Sequence, residues 1–203
     1  SFKTHIPFKS NSLYFYLMAD NITKPNEIAL AAKFDFLIWQ LETGLGLFYQ
    51  KDLAPRGIIT MSLPYGNFDF FGEGVLSYGS ERTFIQETDP FGIETYTLDD
   101  EFLFSGTIGG RYMHPDLNLF IAGQYYFNAE GYREPEIIKD NLSLLIPALA
   151  GGDLAVDDLL NTGRHLLAGT LSFTDILDSG AGLSLFWLGD LSNRTGRIIP
   201  SVF

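Results

Sequence analysis

The amino-acid sequence predicts an all-β fold, an antiparallel transmembrane β-barrel of which about ten to twelve strands are visible. Three observations predict it. The first is a two-residue alternation with one wholly apolar face. Ile28 to Phe36 reads Ile-Ala-Leu-Ala-Ala-Lys-Phe-Asp-Phe. Successive strand side chains point to opposite faces. One face is therefore Ile28, Leu30, Ala32, Phe34 and Phe36, and the other is Ala29, Ala31, Lys33 and Asp35. In the same way Phe68, Phe70, Gly72, Gly74, Leu76 and Tyr78 oppose Asp69, Phe71, Glu73, Val75 and Ser77. The second observation is length: the candidate strands cluster near the ~9–11 residues that a tilted strand needs to cross a bilayer. The third is that short and long connections alternate along the chain, with the short turns expected on the periplasmic side.

Eleven strands are expected: Phe2 to Phe8, Leu13 to Ala19, Ile28 to Leu37, Leu41 to Gln50, Arg56 to Pro64, Phe68 to Gly79, Glu101 to Met113, Asn118 to Asn128, Arg164 to Phe173, Gly180 to Leu188, and Gly196 to Phe203. Lys9 to Ser12, Ile38 to Gln40, Tyr65 to Asn67, His114 to Leu117 and Thr174 to Ser179 read as tight turns. Pro64-Tyr65-Gly66-Asn67 and His114-Pro115-Asp116 have ordinary turn chemistry. Asp20 to Glu27, Lys51 to Pro55, Ser80 to Asp100, Ala129 to Gly163 and Gly189 to Thr195 alternate with them. Glycines inside strands, such as Gly44, Gly74, Gly109 and Gly169, are expected to permit bending and leave room for bulky neighbours. The chain reads as a single domain, 1–203, with a long insert at 129–163. Within the insert, Leu142, Leu145, Leu149 and then Leu154, Val156, Leu159 suggest two short amphipathic helices, interrupted by Pro147 and Gly151-Gly152. The expected role is to cap the rim.

Composition narrows the function. Aromatic residues make up 15% and charged residues only 19%, which excludes disorder as the bulk state. A formal net charge of −12 argues against nucleic acid as a partner. Much of the acid falls in two connections, Glu87 to Asp100 and Glu130 to Asp158, read as solvated loops, with divalent-cation contact at a lipopolysaccharide surface as the sharper reading. The absence of cysteine removes disulfides and thiolate metal sites. No export signal is visible at Ser1, although passage to an outer membrane requires one.

No catalytic constellation stands out. His5, His114 and His165 fall on separate strands or turns without ligand spacing, and no serine motif accompanies His165. Neither a cofactor nor a metal site is expected. The candidate functional residues are instead charged and polar groups inside strands: Lys33, Asp35, Arg56, Asp69, Glu73, Arg111, Gln124 and Arg164. Lysine or arginine facing lipid at mid-bilayer costs roughly 2–4 kcal/mol, so these groups are expected to face a lumen. There they either rigidify a narrow interior or line a pore.

These patterns resemble those of bacterial outer-membrane β-barrel proteins of the porin-like kind, over nearly the whole chain and without a subfamily signature. The resemblance implies residence in the bacterial outer membrane and contact with its lipid and lipopolysaccharide. It further implies insertion by the outer-membrane assembly machinery, and passive passage of small solutes or exposure at the cell surface. Phe203 fits the aromatic ending common in that class, whereas Pro200 does not resemble its usual last strand. An adhesin-like surface barrel without transport, and a soluble β-barrel holding an apolar ligand, are the alternatives. Because eleven is odd and such barrels use even counts, the sequence is expected to be a portion of a longer barrel.

Overall fold

The computed structural model describes residues 1–19, 24, 27–88, 92–134, 136–160 and 162–203. Thirteen strands form among them. They are β1 (Phe2–Phe8), β2 (Asn11–Met18), β3 (Ala29–Ile38), β4 (Leu41–Gln50), β5 (Arg56–Tyr65), β6 (Phe68–Tyr78), β7 (Phe84–Thr88), β8 (Gly92–Tyr96), β9 (Phe102–His114), β10 (Leu119–Asn128), β11 (His165–Phe173), β12 (Leu183–Asp190) and β13 (Thr195–Val202). Eleven of them make one antiparallel meander in the order β1-β2-β3-β4-β5-β6-β9-β10-β11-β12-β13. The two expected strands Phe2–Phe8 and Leu41–Gln50 match residue for residue. Two-residue turns set the register at Phe8↔Asn11, Ile38↔Leu41 and Tyr65↔Phe68. Gly66 adopts φ +60, a left-handed conformation that glycine reaches without a Cβ clash.

The sheet is not closed into a barrel: β1 and β13 end the strand order and do not pair. With an odd number of alternating strands, these two edges run in the same direction. Pro200 lies on one of them. Gly182 and Phe203 exchange both backbone hydrogen bonds (2.7 and 3.1 Å). Hydrogen-bonded pairs alternate along an antiparallel ladder. The nitrogen of Pro200 therefore faces the open edge, where its missing N–H breaks no bond to β12.

Other expectations need correction. Thr174 to Ser179 is not a tight turn, because β12 begins at Leu183 and a 3₁₀ turn over Ile176–Asp178 fills the connection. Ser80 to Asp100 is not a bare loop but carries the hairpin β7–β8. Pro147 does not interrupt the helical insert. The insert forms α1 (Glu136–Asp140) and α2 (Leu142–Gly151), and α2 runs through Pro147 before ending at Gly152 with φ +83.

The main cluster of fully buried side chains lies outside the large sheet. Phe84 and Ile85 of β7 pack with Tyr132, Leu145 and Leu154, and Leu149 and Leu159 flank them. The two long connections thus fold together as one cap. Arg82 joins them, donating to the carbonyls of Glu130 (3.0 Å) and Asp158 (3.0 Å) while its guanidinium lies 5.5 and 5.4 Å from the rings of Phe84 and Tyr132. The buried Asp158 carboxylate accepts the backbone N–H groups of Thr83 (3.0 Å) and Ala155 (2.8 Å).

Candidate inner face

Cross-strand partners share a face, so the continuous register sorts every strand residue of the large sheet. One face carries Leu13, Phe34, Leu45 and Ile59 in a single row across β2 to β5. The eleven strands contain ten charged residues: Lys3, Lys33, Asp35, Glu42, Arg56, Asp69, Glu73, Arg111, Asp190 and Arg197. All ten fall on the opposite face. The chain of partners Lys3↔Tyr16↔Ala31↔Phe48↔Arg56↔Ser77 connects the first of them, and Asp69↔Arg111↔Ala122↔Thr170↔Phe186↔Ile199 connects the last.

The charged face is the more enclosed one. On β4, Leu45, Leu47 and Tyr49 of the apolar face are exposed, whereas Gly44, Gly46 and Phe48 of the charged face are buried or half-buried. The arrangement inverts that of a water-soluble sheet, in which the apolar face packs on a core.

Lys33 Nζ meets Asp35 Oδ1 at 2.9 Å along β3. Arg111 Nε meets Asp69 Oδ2 at 2.8 Å across β6 and β9. Arg56 pairs with Glu81, just beyond β6, and Glu81 also accepts the Ala54 N–H at 2.8 Å. Glu42 and Glu73 have no ion-pair partner among the described residues. The carboxylate excess therefore remains after pairing on the β3–β6 part of this face.

Lys33, Asp35, Glu42, Gly44, Thr60 and Ser62 line a hollow of about 350 Å³. Lys33, Gly44 and Thr60 also line an adjoining one of about 380 Å³ with Tyr16, Phe48 and Arg56. Gly44 is required there: a Cβ on it would lie 2.5 Å from Thr60 Oγ1 and 2.8 Å from Asp35 Oδ1.

Seven of the eight candidates share this face, namely Lys33, Asp35, Arg56, Asp69, Glu73, Arg111 and Gln124. Arg164 precedes β11 rather than lying within it, donates to the Ala129 carbonyl at 3.2 Å, and sits over the Phe127 ring. Sequence reasoning missed the aromatic and cationic group beside them. His5 stacks on Tyr14 at 4.5 Å and bonds to Ser12 at 3.2 Å, while Lys3 Nζ lies 4.9 and 5.3 Å from the rings of Tyr14 and Tyr16. The alternation within Phe2–Phe8 and Asn11–Met18 was the signal for it.

On the apolar face the Tyr125 hydroxyl and His165 Nδ1 are 2.6 Å apart, whereas Thr43 Oγ1 and His114 Nδ1 are buried without a hydrogen-bond partner among the described residues. Large rings also cover small residues there. A Cβ on Gly169 would lie 2.8 Å from the Trp187 ring, and one on Gly106 would lie 3.0 Å from Phe104.

Among the described residues, no group of three or more histidine and acidic side chains is placed to hold a metal ion. Comparison with protein-family models, with curated proteins and with solved structures found no match.

Proposed function

We propose that this chain forms an outer-membrane β-barrel wall whose charged inner face lines a porin-like channel for small solutes. The observation that carries the reading is the inverted sheet, with one uncovered face free of charged residues and all ten strand charges on the enclosed face. Water disfavours an apolar surface of this extent, whereas hydrocarbon favours it. On this reading the apolar face meets outer-membrane lipid, the cap stands among lipopolysaccharide headgroups, and the outer-membrane assembly machinery inserts the sheet.

Unpaired edge N–H and C=O groups cannot rest in hydrocarbon, so the reading requires both β1 and β13 to be paired. A direct seam between them would be parallel. Antiparallel closure needs an odd number of additional strands. The test is extraction followed by planar-bilayer recording. Recovery only with detergent, together with discrete conductance steps, supports the channel. Recovery in detergent-free buffer overturns it in favour of a soluble sheet that binds an apolar ligand.

The folded cap favours a second reading, a non-transporting surface barrel whose loops carry the function. Its core of Phe84, Ile85, Tyr132, Leu145 and Leu154 is more elaborate than a connection requires. Membrane insertion without conductance would select it.

A further inference from the structure

The cap concentrates both the charge of the chain and a set of uncovered apolar side chains. Residues 79–101 and 129–164 hold 14 of the 25 acidic residues and 4 of the 13 basic ones, a net charge of −10 out of −12. α2 packs Leu145 and Leu149 into the cap core, and neighbouring positions along the same apolar stripe are left uncovered. Leu142 and Ile146, one turn apart and on one side of the helix, are 57% and 67% exposed. Val156 and Leu160, four residues apart in the following segment, are 65% and 54% exposed. Exposed carboxylates flank them in sequence: Glu134, Glu136 and Asp140 before, Asp153 and Asp157 between.

We propose that the outer side of the cap is a docking surface for a cationic amphipathic polypeptide segment. Leu142 and Ile146 would cover part of its apolar stripe, and the exposed carboxylates near them in sequence would attract its lysines and arginines. Charge decides among the occupants. A second copy would bring another −10 against the first, which opposes self-association. An anionic lipid surface is repelled in the same way where no divalent cation bridges the two, and α2 itself carries no Lys or Arg, the residues that anchor an interfacial helix. A cationic segment gains from both features, because opposite charge speeds encounter and buried apolar contact slows departure. The inference is independent of whether the inner face conducts.

The test uses the full chain in zwitterionic-lipid nanodiscs, titrated into a fluorescent 18-residue amphipathic Leu/Lys helical peptide and read by anisotropy at low and moderate NaCl, with empty nanodiscs as the blank. A Lys/Ser peptide of equal charge has no apolar stripe. The expected result is binding that weakens with salt and is at least about tenfold weaker for the Lys/Ser peptide. The double substitution Leu142→Gln/Ile146→Gln, which keeps helix propensity, is expected to weaken Leu/Lys binding about tenfold or more, since each tenfold corresponds to about 1.4 kcal/mol. Glu136→Gln/Asp140→Asn, which leaves the apolar side chains in place, is expected to reduce the salt dependence. Equal binding of the two peptides would mean a polycation atmosphere only and would overturn the proposal. So would unchanged Leu/Lys binding by the Leu142→Gln/Ile146→Gln chain, or capture of the cap by anionic vesicles.

Discussion

Ile108→Arg separates a lipid-covered sheet from a water-covered one. Ile108 is the seventh of the thirteen residues of β9, lies on the apolar face opposite Gly72 and Tyr125, and is 67% exposed. At a rise of about 3.4 Å per residue it stands about 20 Å along the strand from either end. In a tilted strand crossing a hydrocarbon core of about 30 Å, that is near the midplane. Arginine there costs roughly 2–4 kcal/mol, a change of roughly thirty- to nine-hundred-fold in the unfolding equilibrium. Water makes the opposite demand. At so exposed a position the same substitution alters stability by about 0.5 kcal/mol or less. Phe102→Arg is the internal control: it is 72% exposed on the same face, but at the strand end. Interfacial positions cost only about 0–1 kcal/mol. Denaturant titrations of both variants and the parent, refolded into lipid vesicles, are the assay. The expected order is a large loss for Ile108→Arg and a small one for Phe102→Arg. Equal, near-zero changes would refute the assignment of the apolar face to lipid.

Four further outcomes follow from the geometry. Gly109→Ala places a Cβ 2.5 Å from Phe71 Cζ and 2.7 Å from the Gly123 carbonyl. It should cost about 1–3 kcal/mol, whereas Gly123→Ala, with only one carbonyl oxygen 3.9 Å away, should be nearly neutral in the same denaturant titration. Asp69→Asn breaks a largely solvated pair with Arg111 and should alter stability by under about 1 kcal/mol. It should nonetheless move the reversal potential under a KCl gradient toward anion preference; an unmoved potential would remove this pair from the conducting path. Asp158→Ala strips the acceptor from the Thr83 and Ala155 N–H groups. Hydrogen exchange across β7 should accelerate on the order of tenfold or more, as expected for buried donors left unpaired at about 1–3 kcal/mol, while β9 and β10 stay protected. Burial raises the Tyr132 phenol above its ordinary value of 10.0, outweighing the hydrogen bond it accepts from the Ile85 N–H. A raised folded value means that the stabilisation is whole below pH 10 and is lost as pH climbs through the folded value. The cap should therefore loosen above about pH 10, followed by tyrosinate absorbance and Ile85 exchange, with Tyr132→Phe removing the late-titrating phenol.

How much of this was legible in the amino-acid sequence follows from the range over which each feature is encoded. The alternation of Lys33 and Asp35 with Phe34 and Phe36 is a property of neighbouring residues, and one strand's period is enough to place them on opposite faces. Two-residue turns such as Gly66-Asn67 then carry the face assignment from strand to strand, since one slipped residue would invert it. Lys33, Asp35, Asp69, Glu73 and Arg111 could for that reason be grouped on one face from the sequence alone, and strand bounds such as Leu41–Gln50 could be read directly.

The cap could not be read in that way. Asp158 looks like one more solvated loop acid, and its burial depends on Thr83 and Arg82, about 75 residues earlier in the chain. Half of a local signal existed in Ala155-Val156-Asp157-Asp158, an acid three residues after Ala155, which precedes a 3₁₀ turn over Val156–Leu159. Phe84 to Thr88 is too short to declare itself a strand until Gly92–Tyr96 pairs with it and Leu145 packs beneath. Pro147 should break a helix, yet packing of Leu145 and Leu149 into the shared core outweighs the lost hydrogen bond. Arg164 alternates as a strand residue would, but the Ala129 carbonyl and the Phe127 ring hold it outside β11. The sequence by itself therefore determined the faces, the two-residue turns and strand bounds such as Phe2–Phe8 and Leu41–Gln50, which are local. Only the tertiary structure decided the pairing of distant loops, the burial of Asp158 and the two unpaired edges, because each depends on which remote groups come within reach once the chain has folded.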